Sequence, residues 1–172
     1  MTQRNQHYEA AFEDFLRFRH VPFIKVDESK RTMFKKASLK SFDFMVYPEA
    51  GKSLLVDVKG RKFPELRPGK TTGAGAWENW VTQEDLSGLT NWQDILGLDS
   101  LGLFVFAYCV QGSVYNSPFD DMYRYKDQNY AFVAIEVDTY KSIAKVRSKK
   151  WQTYSAPVAD FYKIAKPLEI YF

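Results

Sequence analysis

Two aspartates and a lysine, Asp43, Asp57 and Lys59, are the residues of this chain whose types and spacing could do chemistry. They lie in SFDFMVYPEAGKSLLVDVK, Ser41 to Lys59. That stretch reads as two strands, 42–47 and 53–59, rich in apolar and β-branched residues and joined by a Pro48–Lys52 turn. With the hairpin centred on Ala50, Phe42 faces Val58, Phe44 faces Val56 and Val46 faces Leu54, an apolar side that must be core. Asp43 then opposes Asp57 on the other side, with Lys59 two residues further on. Side chains directly opposed across a ladder have Cβ atoms roughly 4.5–5.5 Å apart, and like charges there are destabilising, so a cation between the acids is expected. A hard divalent ion, Mg²⁺ or Mn²⁺, suits carboxylate oxygens. A lysine in reach can orient or activate a water or neutralise a developing anion, which is the chemistry of metal-assisted phosphodiester hydrolysis. Without the ion the acids should raise each other's pKa.

The elements that must hold these groups can be read around them. Residues 5–19 predict an amphipathic helix with Tyr8, Ala11, Phe12, Phe15 and Leu16 as its core stripe. Glu9 and Glu13 lie one turn apart beside that stripe; either can add a third carboxylate, and both can equally pair with Arg17 or other bases. Val21-Pro22 breaks the helix and a strand follows over Pro22–Asp27. The connector Glu28–Lys40 carries Lys30, Arg31, Lys35, Lys36 and Lys40, a solvated loop or a phosphate contact. Beyond Lys59, Gly60–Gly75 reads as a mobile basic loop at the rim of the site, with Arg61 and Lys62 as candidate nucleic-acid contacts.

Thr82-Gln83-Glu84-Asp85 is a capping box that starts a helix running to Leu96, with Leu86, Leu89, Gln93 and Leu96 as its inner stripe. Gln83 in its first turn can approach a metal or phosphate, or stand exposed; Trp77 and Trp80 before it are staples or stacking platforms. Leu101–Val110 is continuously apolar and predicts a central strand buried on both faces. A polar loop over Gln111–Gln128, a strand over Tyr130–Asp138 and a closing strand within Ala159–Phe172 complete the order. Between them, Lys141–Lys150 holds five bases and no acid, followed by Trp151. Lys149 and Lys150 beside that ring suit a nucleic-acid backbone, or a solvated face.

Asp43 followed after a hairpin by Asp57-Val58-Lys59 resembles the PD-(D/E)XK nuclease superfamily, with Phe42 where the name has proline. The resemblance implies an α/β, restriction-endonuclease-like core: helix, three-strand meander, helix, strand, with a mixed central sheet flanked by helices. It also implies that Asp43, Asp57 and the Val58 carbonyl ligate Mg²⁺ or Mn²⁺ while Lys59 assists the attacking water. Enzymes similar to archaeal Holliday junction resolvases place a glutamate on the first helix. HYEAAFE at residues 7–13 is similar to the HYE-x-A-F-E signature of a bacterial family, which selects Glu9. That resemblance points to structured or branched DNA as substrate and to a homodimer.

The 172 residues fit one domain over 1–172 with a real core, and 45% hydrophobic with 26% charged residues is ordinary for a globular chain. A net charge of +3 permits an anionic partner without demanding one. The lone Cys109 lies in an apolar run and reads as a buried, inert thiol. The sequence shows no signal peptide and no membrane-length apolar run, so a cytoplasmic, intracellular protein is expected. The reading is a Mg²⁺-dependent nuclease acting on DNA; the alternatives are a nuclease-fold module that only binds nucleic acid or protein, and a structural protein whose acids meet Lys59 in a salt bridge.

Overall fold

A computed structural model describes residues 3–26 and 40–172. The chain runs α1 (Gln3–Phe18), β1 (Phe23–Lys25), β2 (Phe44–Val46), β3 (Ser53–Phe63), β4 (Val81–Thr82), α2 (Gln83–Leu96) and β5 (Ser100–Val110). It continues with a 3₁₀ turn at Val114–Asn116, β6 (Tyr123–Tyr125), β7 (Gln128–Glu136), α3 (Val137–Ile143), β8 (Lys145–Ser148), β9 (Thr153–Ser155), α4 (Val158–Ile164), β10 (Lys166–Pro167) and a last 3₁₀ turn. Strands β1-β2-β3-β5-β7-β10 form one mixed sheet in that order, with β6 also on β7, and β4-β9-β8 form a small second sheet. Among the described residues only the β3–β5 pairing is parallel, and the crossover between them is β4 and α2.

The main sheet is buried on both faces because β5 is apolar at nearly every position and β3 sends Leu54, Val56 and Val58 to one face and Leu55 and Phe63 to the other. One face carries Leu54, Val56, Val58, Leu103, Val105 and Ala107 against the α1 stripe Tyr8, Ala11, Phe12, Phe15 and Leu16. Phe12 meets Phe44 and Phe132 edge-on at 5.1 and 5.4 Å between ring centres. The other carries Leu55, Phe63, Phe104, Phe106 and Tyr108 against Leu86, Leu89, Val137, Tyr140 and Phe161. Each fully buried side chain of this size contributes roughly 1.5–3 kcal/mol, so neither face could be left to solvent. Among the described residues no helix is long and apolar enough to cross a membrane.

Helix α1 ends in a paired-carbonyl cap: Val21 N–H donates to Leu16 O and His20 N–H to Arg17 O, with His20 at φ 56°, before Pro22 stops the chain. At the other contact, Gly60 lies under the Tyr8 ring, and a Cβ there would overlap the ring carbons. Gly60→Ala is therefore expected to cost about 1–3 kcal/mol through overpacking and to lift α1 from β3. Urea unfolding checks this, and an unchanged midpoint would show that the helix seats without that gap.

Four expectations are corrected. Strand β3 does not stop at Lys59 but runs to Phe63, so Gly60, Arg61 and Lys62 belong to a parallel ladder with β5 rather than to a rim loop. The strand before the basic run is Gln128–Glu136, and the chain turns at once into α3. The carboxy-terminal segment forms α4 and a two-residue strand rather than a longer closing strand. Leu96, assigned to the inner stripe of α2, is exposed, because the helix end at Gly97 leaves the sheet.

Candidate functional site

Alternation along β3 puts Asp57, Lys59 and Arg61 on the face that α2 covers and Val58, Gly60 and Lys62 on the α1 face. Asp57 and Lys59 are thus neighbours two residues apart, and Lys59 Nζ lies 2.8 Å from Asp57 Oδ1. A third group arrives from α2: Asp85 Oδ1 is 3.0 Å from the same ammonium. Asp85 closes the capping box as well, since its Oδ2 accepts the Thr82 N–H at 2.8 Å while Thr82 Oγ1 accepts the Asp85 N–H at 3.1 Å. Its Oδ1 also accepts from Lys40 Nζ. Lys40 is held there by its backbone, whose carbonyl accepts Trp92 Nε1–H at 3.2 Å and lies so close to Gly88 that a Cβ would come within 2.7 Å.

Asp43 reaches the site by an irregularity. Phe44, Met45 and Val46 pair with Val56, Leu55 and Leu54, the register centred on Ala50. But Asp43 N–H also donates to Val56 O at 2.9 Å, so two successive residues stand against one, as in a bulge. The alternation beyond it is offset. Phe42 packs with Trp92 on the α2 side instead of facing Val58, and Asp43 is not directly opposed to Asp57. Its carboxylate instead accepts the Val58 N–H at 2.7 Å, standing in for a strand carbonyl.

Burial pushes the Asp43 carboxyl well above the usual carboxylate range, and the charges of Asp57 and Glu9 push it further; Lys59 and the Val58 N–H oppose them. Asp57 is also raised, by burial first, with Lys59 opposing and Asp85 adding to it. Burial alone would lower Lys59, but Asp57 and Asp85 outweigh it and hold the ammonium above its ordinary value. For Asp85 the balance is reversed: burial is overcome by Lys59 and Lys40, and the carboxyl is held low. The cluster therefore contains a firmly ionised carboxylate, Asp85, a protonated lysine, and two acids that resist ionisation.

Glu9 is half-buried on α1, 3.9 Å from Lys25 Nζ, and its charge reaches Asp43. Glu13 instead pairs with Arg17 at 2.9 Å and Lys25 at 3.3 Å. Arg61 turns inward, donating to Gly60 O and Trp80 O and stacking on the Trp80 ring at 4.1 Å. Lys62 is exposed on the opposite face from Lys59, where its charge acts on His7 and Cys109. Gln83 begins α2 half-buried, its N–H donating to Gln152 O at 2.8 Å. Lys149 and Lys150 are exposed at the β8–β9 turn. Lys30 and Arg31 lie outside the described residues. The sequence marks Asp85 only as a cap and Lys40 only as a connector base, solvated or on a phosphate, so their meeting beside Lys59 is a finding of the structure. Asp85 was visible as a cap, but a carboxylate at the third helical position gives no sign of what its second oxygen binds.

Among the described residues no three His, Cys, Asp or Glu side chains converge on one ion position. Mg²⁺ commonly takes one or two carboxylates and keeps several waters, so Asp43 and Asp57 are a sufficient hard-oxygen set, and their resistance to ionisation is what a bound dication would relieve. The donor chemistry fits.

No protein-family model matches the chain, nor does any curated protein match it significantly. Among solved structures it is similar to Hjc, the Holliday junction resolvase of the hyperthermophilic archaeon Archaeoglobus fulgidus, with a TM-score of 0.54 and 10% identity over 98% of this chain and 95% of that one. The fold is thus restriction-endonuclease-like, with a mixed sheet flanked by helices, as expected. The narrower resemblance through residues 7–13 has no family match behind it.

Proposed function

We propose that this chain is a divalent-metal-dependent nuclease acting on DNA, structured or branched DNA included. The observation that carries the reading is the placing of Asp57 and Lys59 on one face of β3, with the half-buried Asp43 carboxylate near enough for the charges of both to act on it. Asp43, Asp57 and the Val58 carbonyl would hold Mg²⁺ or Mn²⁺, with Glu9 contributing from α1. An ion bound there would lower the pKa of a coordinated water and polarise a phosphoryl oxygen. Lys59 is kept protonated by Asp57 and Asp85, so its part is to orient the attacking water and stabilise charge on the phosphate, not to abstract a proton. Asp85 positions Lys59, and Lys40 places a second cation beside it. The likeness to a resolvase, together with the basic run before Trp151, supports DNA as partner, and the homodimer implied by the sequence resemblance is part of the same proposal.

The closed Lys59–Asp57 and Lys59–Asp85 pairs also support a second reading, a nuclease-fold module that binds without cutting. Cleavage of plasmid and branched oligonucleotides in Mg²⁺ or Mn²⁺ decides between them. Wild type should cut, and Asp57→Asn should lose at least about 10²-fold in rate. Retained DNA binding with no metal-dependent cutting by wild type would establish the binder.

A further inference from the structure

Trp151 is 69% exposed at the tip of the β8–β9 hairpin. A lone exposed ring needs no explanation. This one differs in three respects. Its turn is fixed, because Trp151 N–H donates to Ser148 Oγ at 3.3 Å and Gln152, at φ 46°, donates its N–H to Lys149 O at 3.3 Å. Its charged neighbours, Lys145, Arg147, Lys149 and Lys150, are all cationic and exposed, with Lys150 Nζ 5.3 Å from the ring centre. And the hairpin is tied to the candidate site from two sides.

The first tie runs through α2. Thr153 pairs with Thr82, and Gln152 O accepts the N–H of Gln83, in the same first turn from which Asp85 reaches Lys59. The second runs through β3. The Trp80 ring lies between reach of two guanidinium groups, Arg61 at 4.1 Å and Arg147 at 5.4 Å, and Arg61 is two residues from Lys59 on the same face. The buried Asn79 amide stiffens the base of the hairpin by donating to Ala156 O at 3.1 Å and accepting the Ala156 N–H at 2.8 Å.

We propose that this hairpin docks an unpaired stretch of a nucleic-acid strand beside the scissile bond, Trp151 stacking on a base and Lys149 and Lys150 meeting the flanking phosphates. An exposed ring set among cations is complementary to a polyanion that carries flat bases, and a base is available to stack only where it is not paired. The preferred substrate is then nucleic acid with single-stranded nucleotides next to the cut, such as a tail, flap or opened junction, rather than continuous duplex. This position relative to the cut rests on the nuclease reading above; the contact itself does not need cleavage to be seen.

The test is fluorescence anisotropy in EDTA, comparing a blunt duplex with the same duplex bearing a single-stranded tail. Wild type should prefer the tailed duplex. Trp151→Ala should weaken binding to it by between about 5- and 150-fold, the range of base-on-aromatic stacking, and Trp151→Phe should restore most of that. Lys149→Ala/Lys150→Ala should lower the slope of log affinity against log salt by about two contacts' worth. Tail binding in wild type should also quench tryptophan emission, and Trp151→Ala should remove the quenching. An affinity for the tailed duplex unchanged by Trp151→Ala, or equal wild-type affinities for the two duplexes, would overturn the proposal. If wild type cuts nothing while tail binding depends on Trp151, the nuclease reading fails and the hairpin stands. If wild type cuts and Trp151→Ala leaves tail affinity unchanged, the hairpin proposal fails alone.

Discussion

Asp43→Asn should make the metal-free protein more stable at neutral pH while abolishing its response to divalent ions. A carboxyl whose folded pKa lies above its unfolded one favours the folded state at low pH, and that contribution is lost as pH rises through the folded value. Asp43 is such a group, raised by burial and by the charges of Asp57 and Glu9. In EDTA above that value, the wild-type chain therefore folds against an anion that Lys59 and the Val58 N–H only partly offset. Asparagine is nearly the same shape, keeps an oxygen to accept the Val58 N–H, and removes the charge. Thermal unfolding across pH 4–8 in EDTA should show the variant melting higher than wild type toward the upper end, with the two curves converging toward the acid end. Mn²⁺ at about 100 times its Kd should stabilise wild type by about 2.7 kcal/mol and the variant negligibly. Equal ion-induced stabilisation of both would remove Asp43 from the metal site.

Lys59→Met has the second large effect, on folding as well as on rate. Lys59 is 13% exposed and serves two carboxylates, Asp57 and Asp85. Removing one partner of a buried ion pair leaves the other charge unmet and costs roughly 3–5 kcal/mol. Adding Asp57→Asn removes one stranded charge, and Asp85 keeps Lys40, so the double variant should regain part of that loss. Cleavage should not return with it and should stay down by on the order of 10²–10³-fold, because the cation proposed to face the phosphate is gone. Urea denaturation and initial rates on the four proteins of the cycle measure both quantities. If the two stability losses simply add, the pairing is not what holds Lys59 in place.

The hairpin register, the α1 stripe, the capping box and the buried central strand were all legible, because each follows from periodicity or from a spacing with a local cause. The offset at Asp43 was not. A side chain that takes over a strand's hydrogen bond leaves the residue pattern unchanged and moves only Phe42, whose apolar character suits either face. Gly60 misled for a related reason. Its sequence neighbourhood reads as a break, whereas the glycine is there because the Tyr8 ring occupies the space of a side chain. Arg61 then looked like a loop base although it is folded inward on Trp80. Lys40 and Asp85 are 45 positions apart, and nothing in either segment marks the other.

Position 85 answers to two masters. Helix starts of this kind more often carry glutamate or glutamine at the third residue, whose extra methylene spans comfortably back to the cap. Here the shorter aspartate leaves one oxygen at the cap and turns the other toward Lys59 and Lys40. Lengthening it would favour the helix and displace the lysine's counter-ion; shortening it would forfeit both. The start of α2 and the tuning of the lysine are thus locked into one compromise, which neither a better helix nor a better-paired lysine could revise independently.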